Sequence, residues 1–244
     1  MKRFAWILVL GLLLVLWEAH VRVRGIPDYL LPAPSAIAQA LWDQRSPLAS
    51  QTLVTAREMV LGFAAAVAAG LGAAIVIQRL PWLRNAVYPL LVASQSVPVV
   101  AIAPLLVIYL GFGLAPKVLI VALVCFFPIT ANALDGFASA PPDLRRTMLT
   151  LNGRPQSIFW RVELPWAAPR IFTGARIAAT YSAVAALFAE YAGGSGGLRE
   201  SMQNQNLNTP LIGASIVLLA SLALALFAIV TMIERVALPW ARDG

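Results

Sequence analysis

The residue types best suited to covalent chemistry occur at Gly193-Gly-Ser-Gly-Gly197, which matches the Gly-x-Ser-x-Gly pattern of serine hydrolases. A serine becomes a nucleophile only beside a base that removes its proton. The chain has one histidine, His20, and it follows the first apolar stretch, at the other end of the sequence. We therefore interpret residues 193–197 as a flexible turn, and we predict no catalytic residue.

Metal and nucleotide chemistry are not indicated either. Cys125 is the single cysteine and lies inside an apolar run, so it cannot build a disulfide framework or a cysteine metal site and is expected to be a small buried thiol. The sequence contains no His-Glu-x-x-His motif and no Gly-x-x-x-x-Gly-Lys-Ser/Thr phosphate loop. We expect no metal and no cofactor bound by this chain.

An acid inside an apolar stretch is a functional candidate, because an unpaired charge is costly in lipid. Glu190 is such an acid, although near the end of its stretch it could simply be hydrated. Arg176 precedes Glu190 by 14 positions, about 21 Å along a helix, so the two cannot pair within one helix. We expect Arg176 to extend toward the nearby membrane surface.

Uncharged polar side chains form a second group of candidates. Gln95 and Ser96 lie beside Pro98, and Gln95 is expected to face either another helix or a water-filled pathway. Tyr181 and Ser182 could line the same pathway or pack as an aromatic and a small residue. The candidate translocation-pathway residues are therefore Gln95, Ser96, Tyr181 and Glu190.

The composition indicates that the elements holding these residues are embedded in lipid. Of the 244 residues, 60% are hydrophobic and 12% are charged, and the mean hydropathy is +0.79. Soluble domains carry about 25% charged residues. The net charge of +7 does not indicate nucleic acid, because the basic residues occur singly between apolar stretches and not along one face.

A transmembrane helix needs about 20 mostly apolar residues. We predict an all-α integral membrane protein with about six transmembrane helices, at Phe4–Trp17, Met59–Ile77, Val87–Tyr109, Val118–Leu134, Ile171–Tyr191 and Leu211–Ile233. No cleavage site follows the first stretch, so we take it as a retained helix and not as a signal peptide. Residues 22–52 are polar and rich in proline, which favours an external loop.

Two local features refine these spans. Gly62, Gly70 and Gly72 lie in the second span, where small residues let helices approach closely. Pro98 and Pro104 lie in the third span and should kink or break it, because each removes a backbone hydrogen bond.

The positive residues predict the orientation, since they concentrate on the cytoplasmic side of a membrane protein. With both termini inside, the external segments hold Arg22, Arg24, Arg45, Lys117 and Arg199. The cytoplasmic segments then hold Lys2, Arg3, Arg79, Arg84, Arg145, Arg146, Arg154, Arg161, Arg170, Arg235 and Arg242. This imbalance favours two cytoplasmic termini and an even number of spans.

The segment between spans four and five, Asp143–Pro165, has its own pattern. Pro142 suits the first turn of a helix, and Leu144, Met148 and Leu151 then recur at amphipathic spacing. Asn152-Gly153 predicts a helix stop, because both residues tolerate the left-handed conformation.

A second short helix is predicted from Pro155, with Ile158, Phe159 and Val162 on one side and an end at Leu164-Pro165. Both helices are too short to span a membrane, and their apolar faces need a partner. If Phe159 docks on that partner, Phe159→Asp is expected to uncouple the partner's action from this chain while leaving membrane insertion intact.

This segment resembles the cytoplasmic loop of the inner-membrane permeases of binding-protein-dependent ABC importers, which reads Glu-Ala-Ala-x-x-x-Gly and later Leu-Pro. Arg146-Thr147-Met148 takes the place of Glu-Ala-Ala, and Asn152 takes the place of the glycine. Ser157–Pro165 follows the family closely. Arginine replaces the usual acid, whereas Asn152 should preserve the turn, because asparagine tolerates the left-handed conformation.

The resemblance extends over residues 31–240. It includes Leu31-Pro-Ala-Pro-Ser35, Ser96–Leu106 and Tyr109–Gly113. Within the family, Ala175–Ser182, Ala189–Leu198 and Glu234–Trp240 look like permeases for the pyrimidine precursor of thiamine. Permeases for nitrate, sulfonate and taurine are close relatives of these.

The resemblance implies a type I ABC importer permease fold in a bacterial inner membrane. It implies residues 1–50 as an N-terminal helix and external loop, 51–235 as the permease domain and 236–244 as a cytoplasmic tail. Its partners would be ABC ATP-binding subunits that hold ATP and Mg, an external solute-binding protein, a second permease copy and the lipid bilayer, with no nucleic acid. The implied ATPase-coupling residues are Arg146, Thr147, Met148, Asn152, Gly153, Ile158, Phe159, Leu164 and Pro165.

The implied function is ATP-driven import of a small solute, the thiamine pyrimidine precursor, by a subunit that is not itself an enzyme. Import of nitrate, sulfonate or taurine is the alternative within the family. A stand-alone secondary transporter or channel would also explain the spans, the broken third helix and Glu190. It would not explain the paired amphipathic helices of residues 143–165.

Overall fold

The computed structural model describes residues 5–194, 196–203 and 208–242, and this part of the chain is helical with no strand. A π-helical turn, Phe159–Glu163, connects α8 to α9, and a 3-10 turn, Pro239–Arg242, follows the last helix. The helices are α1 Ala5–Arg24, α2 Pro34–Asp43, α3 Arg45–Arg79, α4 Pro81–Ser94, α5 Val99–Leu110, α6 Leu114–Ala138, α7 Pro142–Thr150, α8 Pro155–Ile158, α9 Leu164–Gly193, α10 Leu198–Gln203 and α11 Thr209–Ala237.

Four of these helical stretches are long and apolar enough to cross a membrane: α3, α6, the continuous stretch Pro155–Gly193, and α11. The bent pair of α4 and α5 would make a fifth. The predicted first span corresponds to α1, 20 residues long, and its first residue, Phe4, lies outside the described residues. The all-α membrane fold is thereby confirmed. The predicted number of six spans is not, because α1 is not among the described helices that are long and apolar enough to cross a membrane.

The prediction that residues 22–52 form a loop is wrong for most of that range. It contains α2, and α3 already begins at Arg45. Pro34 and Pro47 lie in the first turns of these helices, where the missing N–H of proline has no intrahelical partner to lose. The carboxylate of Glu18 accepts hydrogen bonds from the backbone N–H (3.0 Å) and the hydroxyl (2.7 Å) of Ser35, which holds the start of α2 against α1.

The predicted break in the third span is confirmed, and it occurs at Pro98. The chain leaves the helical conformation between Ser94 and Val99, and α4 and α5 are bent relative to each other by more than 40°. Pro104 remains inside α5. One of the two prolines therefore breaks the span, and the other is accommodated in it.

The chain divides into two compact units, residues 1–55 with 195–221, and residues 56–194 with 222–244. In the second unit, α3 and α6 approach closely at two glycines. A Cβ at Gly62 would lie 2.4 Å from Val121 Cβ, and one at Gly70 would lie 3.1 Å from Ile129 Cγ2. Both contacts advance by eight residues on each helix, so the two helices run parallel. A Cβ at Gly72 would meet nothing within 4 Å, so its predicted role in close approach is wrong.

Helices α6 and α9 of the second unit run antiparallel. A Cβ at Gly136 would lie 2.9 Å from the Ala167 carbonyl oxygen, and one at Gly174 would lie 2.6 Å from the Pro128 carbonyl oxygen. Further along, the thiol of Cys125 is buried and donates to the Ala178 carbonyl oxygen at 3.3 Å, as expected for a small buried thiol. These directions match the alternation expected of spans two, four and five.

Candidate functional site

The first helix of the loop segment (residues 142–165) begins at the predicted residue, Pro142, and extends to Thr150 as α7. None of its residues is buried. Leu144 is 45% exposed, Leu149 53% and Leu151, just after the helix, 73%. The second unit therefore presents a helix with uncovered leucines on a short segment that is otherwise polar.

The predicted helix stop is confirmed. Asn152 has a φ of +56°, the one non-glycine residue in the left-handed region among those described. The N–H of Gly153 donates to the Met148 carbonyl oxygen at 2.8 Å, which ends the last turn of α7. A Cβ at Gly153 would lie 2.6 Å from that same oxygen, so the turn has room only for glycine at this position.

The predicted end of the second helix at Leu164-Pro165 is wrong. Helix α8 passes through the π-helical turn directly into α9, giving one continuous helical stretch from Pro155 to Gly193. In the π-helical turn the N–H of Leu164 donates to the Phe159 carbonyl oxygen, one residue further back than in an α-helix. This wider turn accommodates Pro165, which has no N–H and would otherwise crowd the carbonyl of the preceding turn.

The apolar side of the second helix is covered by the chain itself. Ile158 and Phe159 are each 4% exposed. The Phe159 ring lies 5.5 Å from that of Phe137, the Arg79 guanidinium lies 5.3 Å from the Phe159 ring centroid, and Ala74 belongs to the same apolar cluster. The expectation that this face needs a separate partner is therefore wrong, and Phe159→Asp is not a clean test of docking.

Polar contacts join the two parts of the loop segment. Glu163 is buried, and its carboxylate lies 3.6 Å from Arg145 Nε and accepts from Gln78 Nε2 at 3.4 Å. A cavity of about 490 Å³ lies beside these groups and is also lined by Arg79 and Leu149. Arg146, at the position of the family's acid, is largely exposed and lies 3.7 Å from Asp143.

The loop segment thus has an anchored part and a presented part. The second helix buries its apolar side and continues into α9, while no residue of α7 is buried in the chain's own core. Such an arrangement can receive a partner and transmit its movement to a membrane helix. Among the described residues, no group of three or more His, Cys, Asp or Glu side chains could hold a metal ion.

The candidate pathway residues differ in exposure. Gln95 and Ser96 are exposed at the break between α4 and α5, and Tyr181 is 54% exposed. Glu190 is fully buried, so hydration at the end of its span does not account for it. Tyr181 and Glu190 are nine positions apart, which places them on opposite faces of α9 at about 100° per residue.

Two further polar side chains of α9 have partners within the chain. Ser182 is buried and donates to the Ala179 carbonyl oxygen at 2.7 Å, which is a packing role. Arg176 forms an ion pair with Glu234 of α11 and also donates to the Thr173 hydroxyl at 3.1 Å. Its extension toward the membrane surface stays a prediction.

Sequence reasoning missed a buried ion pair. Lys117, counted as an external positive residue, lies inside α6 at 3% exposure, and its Nζ lies 2.8 Å from Glu58 Oε1 of α3. Glu58 is 2% exposed. The sequence did contain a signal for this pair. Glu58 directly precedes the predicted second span, and Lys117 directly precedes the predicted fourth span.

The serine motif lies partly outside the described residues, because Ser195 is not among them. Gly194, Gly196 and Gly197 all have positive φ values, between +78° and +97°, which require glycine and are typical of a turn.

Residues 66–238 match the family described as the binding-protein-dependent transport system inner membrane component. This chain belongs to that family. It is 33% identical over 223 residues to a probable ABC transporter permease protein of Haemophilus influenzae, a match covering 91% of each chain. It is 32% identical to the riboflavin transport system permease protein of Chloroflexus aurantiacus, covering 98% of this chain and 93% of that one.

It is also 32% identical to the formylaminopyrimidine transport permease protein of Halalkalibacterium halodurans, covering 95% of this chain and 93% of the relative. This family membership makes the chain a multi-pass membrane permease of the ABC importer type, a transport subunit. The loop segment whose geometry is described above falls inside the matched residues.

Proposed function

We propose that this chain is the membrane subunit of an ATP-driven importer, and that α7 is the surface on which its ATP-binding partner docks. The supporting observation is that α7 carries exposed leucines, whereas the second helix of the loop segment buries Ile158 and Phe159 in the chain's own core. Apolar side chains left uncovered on a short helix indicate a binding surface. No phosphate loop occurs in the sequence, so ATP and Mg belong to the partner.

The mechanism follows from the continuity of the second helix with α9. Movement of the ATP-binding subunits shifts α7, and the Asn152-Gly153 turn passes this shift to Pro155 and onward. Because Pro155–Gly193 is one helical stretch, the shift acts directly on a helix long enough to cross the membrane. The partner's nucleotide state thereby biases a two-state membrane element. The chain itself performs no chemistry.

We place the protein in a bacterial inner membrane with both termini and the loop segment in the cytoplasm. The loop segment and the adjoining helix ends of the second unit carry Arg79, Arg145, Arg154 and Arg170, and positive residues favour the cytoplasmic side. A second permease copy would complete the pathway, and an external solute-binding protein would deliver the solute. Gln95, Ser96 and Tyr181, all exposed, are proposed to line that pathway.

For the solute we propose the hydroxymethylpyrimidine precursor of thiamine. One relative is described as a formylaminopyrimidine permease and another, equally similar, as a riboflavin permease, and both names denote nitrogen heterocycles. Nitrate, sulfonate or taurine remains the alternative within the family.

Reconstitution of the chain in proteoliposomes with its ATP-binding subunits and solute-binding protein tests the function. We expect uptake of labelled hydroxymethylpyrimidine that requires ATP and the binding protein. Preferred uptake of riboflavin or taurine would redirect the substrate and leave the importer assignment intact. Uptake by the chain alone, without ATP or partners, would establish a secondary transporter and refute the importer.

Leu149→Asp tests the docking surface. We expect the apparent affinity for the ATP-binding subunits to fall at least about tenfold, because a charge replaces an apolar interface contact. Tyr29→Asp is the matched control, since Tyr29 is also an exposed large side chain (62%), outside the loop segment. Unchanged affinity in Leu149→Asp, or an equal loss in Tyr29→Asp, would contradict the assignment of α7.

A further inference from the structure

The ion pair between Glu58 and Lys117 is the least expected feature of the second unit. Both side chains are almost fully buried in helices that cross the membrane, with Nζ and Oε1 separated by 2.8 Å. The other carboxylate oxygen, Oε2, is buried with no hydrogen-bond partner among the described residues. Burying two charges is costly, and an apolar pair of similar volume is often at least as stable. The pair therefore calls for a role other than stability.

The position of Lys117 within its helix supports this conclusion. Lys117 lies in the first turn of α6, where the positive end of the helix dipole disfavours a cation. The charge therefore does not stabilise its own helix.

The stem of Lys117 also contacts a third helix. A Cβ at Gly193 would lie 3.1 Å from Lys117 Cγ and 3.2 Å from Cε, so a side chain there would press on the lysine stem. Gly193 lies one turn beyond Glu190 on α9. Lys117 therefore extends from α6 across the last turn of α9 to the carboxylate on α3, and it ties three helices together at one level.

This level lies at the opposite end of the helices from the loop segment. Along α3, Glu58 precedes Ile77 by 19 positions, about 28 Å. Ile77 belongs to the apolar cluster that holds Phe159. A bilayer core is about 30 Å thick, so one membrane thickness separates the ion pair from the anchored part of the loop segment.

The two ends are held by different forces. At the loop end, Phe137 and Phe159 pack with the small residues of α3, α6 and α9. Between the ends, Gly62 and Gly70 bring α3 and α6 into close contact. At the far end, apolar contacts alone would give little preference for helix over lipid, because lipid is equally apolar. An ion pair cannot be separated there without leaving two unpaired charges in a medium of low dielectric constant.

We propose that the Glu58–Lys117 pair is a lock that keeps α3, α6 and α9 moving as one body. A displacement at the loop segment is then delivered across the membrane instead of being absorbed by helices spreading apart at the far end. Glu58 and Lys117 are positioning residues in this proposal, with no contact to solute required. The proposal rests on the proposed importer function.

The test uses the complete reconstituted importer and measures solute imported per ATP hydrolysed, together with the melting temperature of each variant. The variants are Glu58→Met, Lys117→Met and the double variant with both changes, which removes both charges of the pair. The matched control is the Arg176→Met/Glu234→Met double variant, which removes the partly buried ion pair between α9 and α11.

We expect the double variant at Glu58 and Lys117 to melt near the wild-type temperature but to import about tenfold less solute per ATP. The single variants should lose both stability and coupling, and the control should retain the wild-type ratio. A wild-type ratio in the Glu58/Lys117 double variant, or an equal loss in the control, would overturn the proposal. Failure of the wild-type importer to couple ATP to uptake would instead count against the proposed function.

Discussion

The two helices of the loop segment have similar amphipathic sequences and opposite fates. Helix α7 has no buried residue, and its leucines are open to solvent or to a partner. The second helix buries Ile158 and Phe159 against α3, α6 and α9 of its own chain. An amphipathic pattern shows that a helix has an apolar face, but it does not show what covers that face.

The sequence pattern predicts the same role, docking to a partner, for both helices, whereas the structure gives anchoring to one helix and an exposed surface to the other. Phe159 anchors the loop segment to the membrane helices, whereas Leu144, Leu149 and Leu151 remain available to another protein. A docking helix needs both parts, since a presented surface transmits force only if its base is fixed. The π-helical turn supplies that base by joining the second helix to α9 without a break.

The largest expected effect is on the free energy of unfolding, when an aspartate is introduced into the anchored helix or into α7. Phe159→Asp should lower the free energy of unfolding by more than the 3–5 kcal/mol typical of Phe→Ala in a core, because it also buries a carboxylate. Leu149→Asp, at an exposed site, should change it by about 0.5 kcal/mol or less. Thermal unfolding of both variants in detergent measures the difference.

Membrane yield provides the control in that experiment, since both variants must first be inserted. We expect a reduced yield for Phe159→Asp and a wild-type yield for Leu149→Asp. Equal stability of the two proteins would show that Phe159 is not an anchor, and the distinction between the two helices would then fail.

Local sequence signals predicted many elements of the fold. The helices at four of the six predicted spans, the start of α7 at Pro142, the break at Pro98 and the left-handed Asn152 all depend on hydropathy or on the conformational limits of one or two residues. These properties act within a few positions along the chain and need no knowledge of tertiary contacts.

Features that depend on distant partners could not be predicted in this way. Pro34 and Pro165 read as loop or end signals, yet both lie where a helix begins or continues, and proline is compatible with either. Lys117 and Glu58 are separated by 59 positions, and neither flanking sequence indicates the other. Gly72 differs from Gly70 only in the helix face on which it lies.

The turn between the two helices offers a test of intermediate size. Asn152→Val should destabilise the turn by about 1–2 kcal/mol, since a β-branched residue resists the left-handed conformation. Asn152→Gly, the residue typical of the family, should cost nothing measurable at this φ of +56°. Hydrogen–deuterium exchange over residues 142–158 should be faster in the valine variant alone. Equal exchange in the two variants would show that the turn conformation does not limit the order of α7.

The smallest effect is expected at the ion pair that connects the two helices. Arg145 is largely exposed and its Nε lies 3.6 Å from Glu163 Oε1, so Arg145→Ala should lower the free energy of unfolding by about 0.2–1 kcal/mol. High salt should remove most of that difference, because exposed charges are screened. Glu163→Ala should cost more, since the buried carboxylate also accepts from Gln78.

The free energy of unfolding of Arg145→Ala and Glu163→Ala, measured at low and high salt, distinguishes stabilisation by the ion pair from stabilisation by apolar packing. If Arg145→Ala destabilised the protein as strongly as Phe159→Asp, and did so at high salt too, the loop segment would depend on its first helix as much as on its second. If α7 is presented and the second helix is anchored, Arg145→Ala must lower the free energy of unfolding only slightly, and high salt must remove that loss. Such a result would mean that α7 contributes little to the fold and that its apolar surface remains available to a partner.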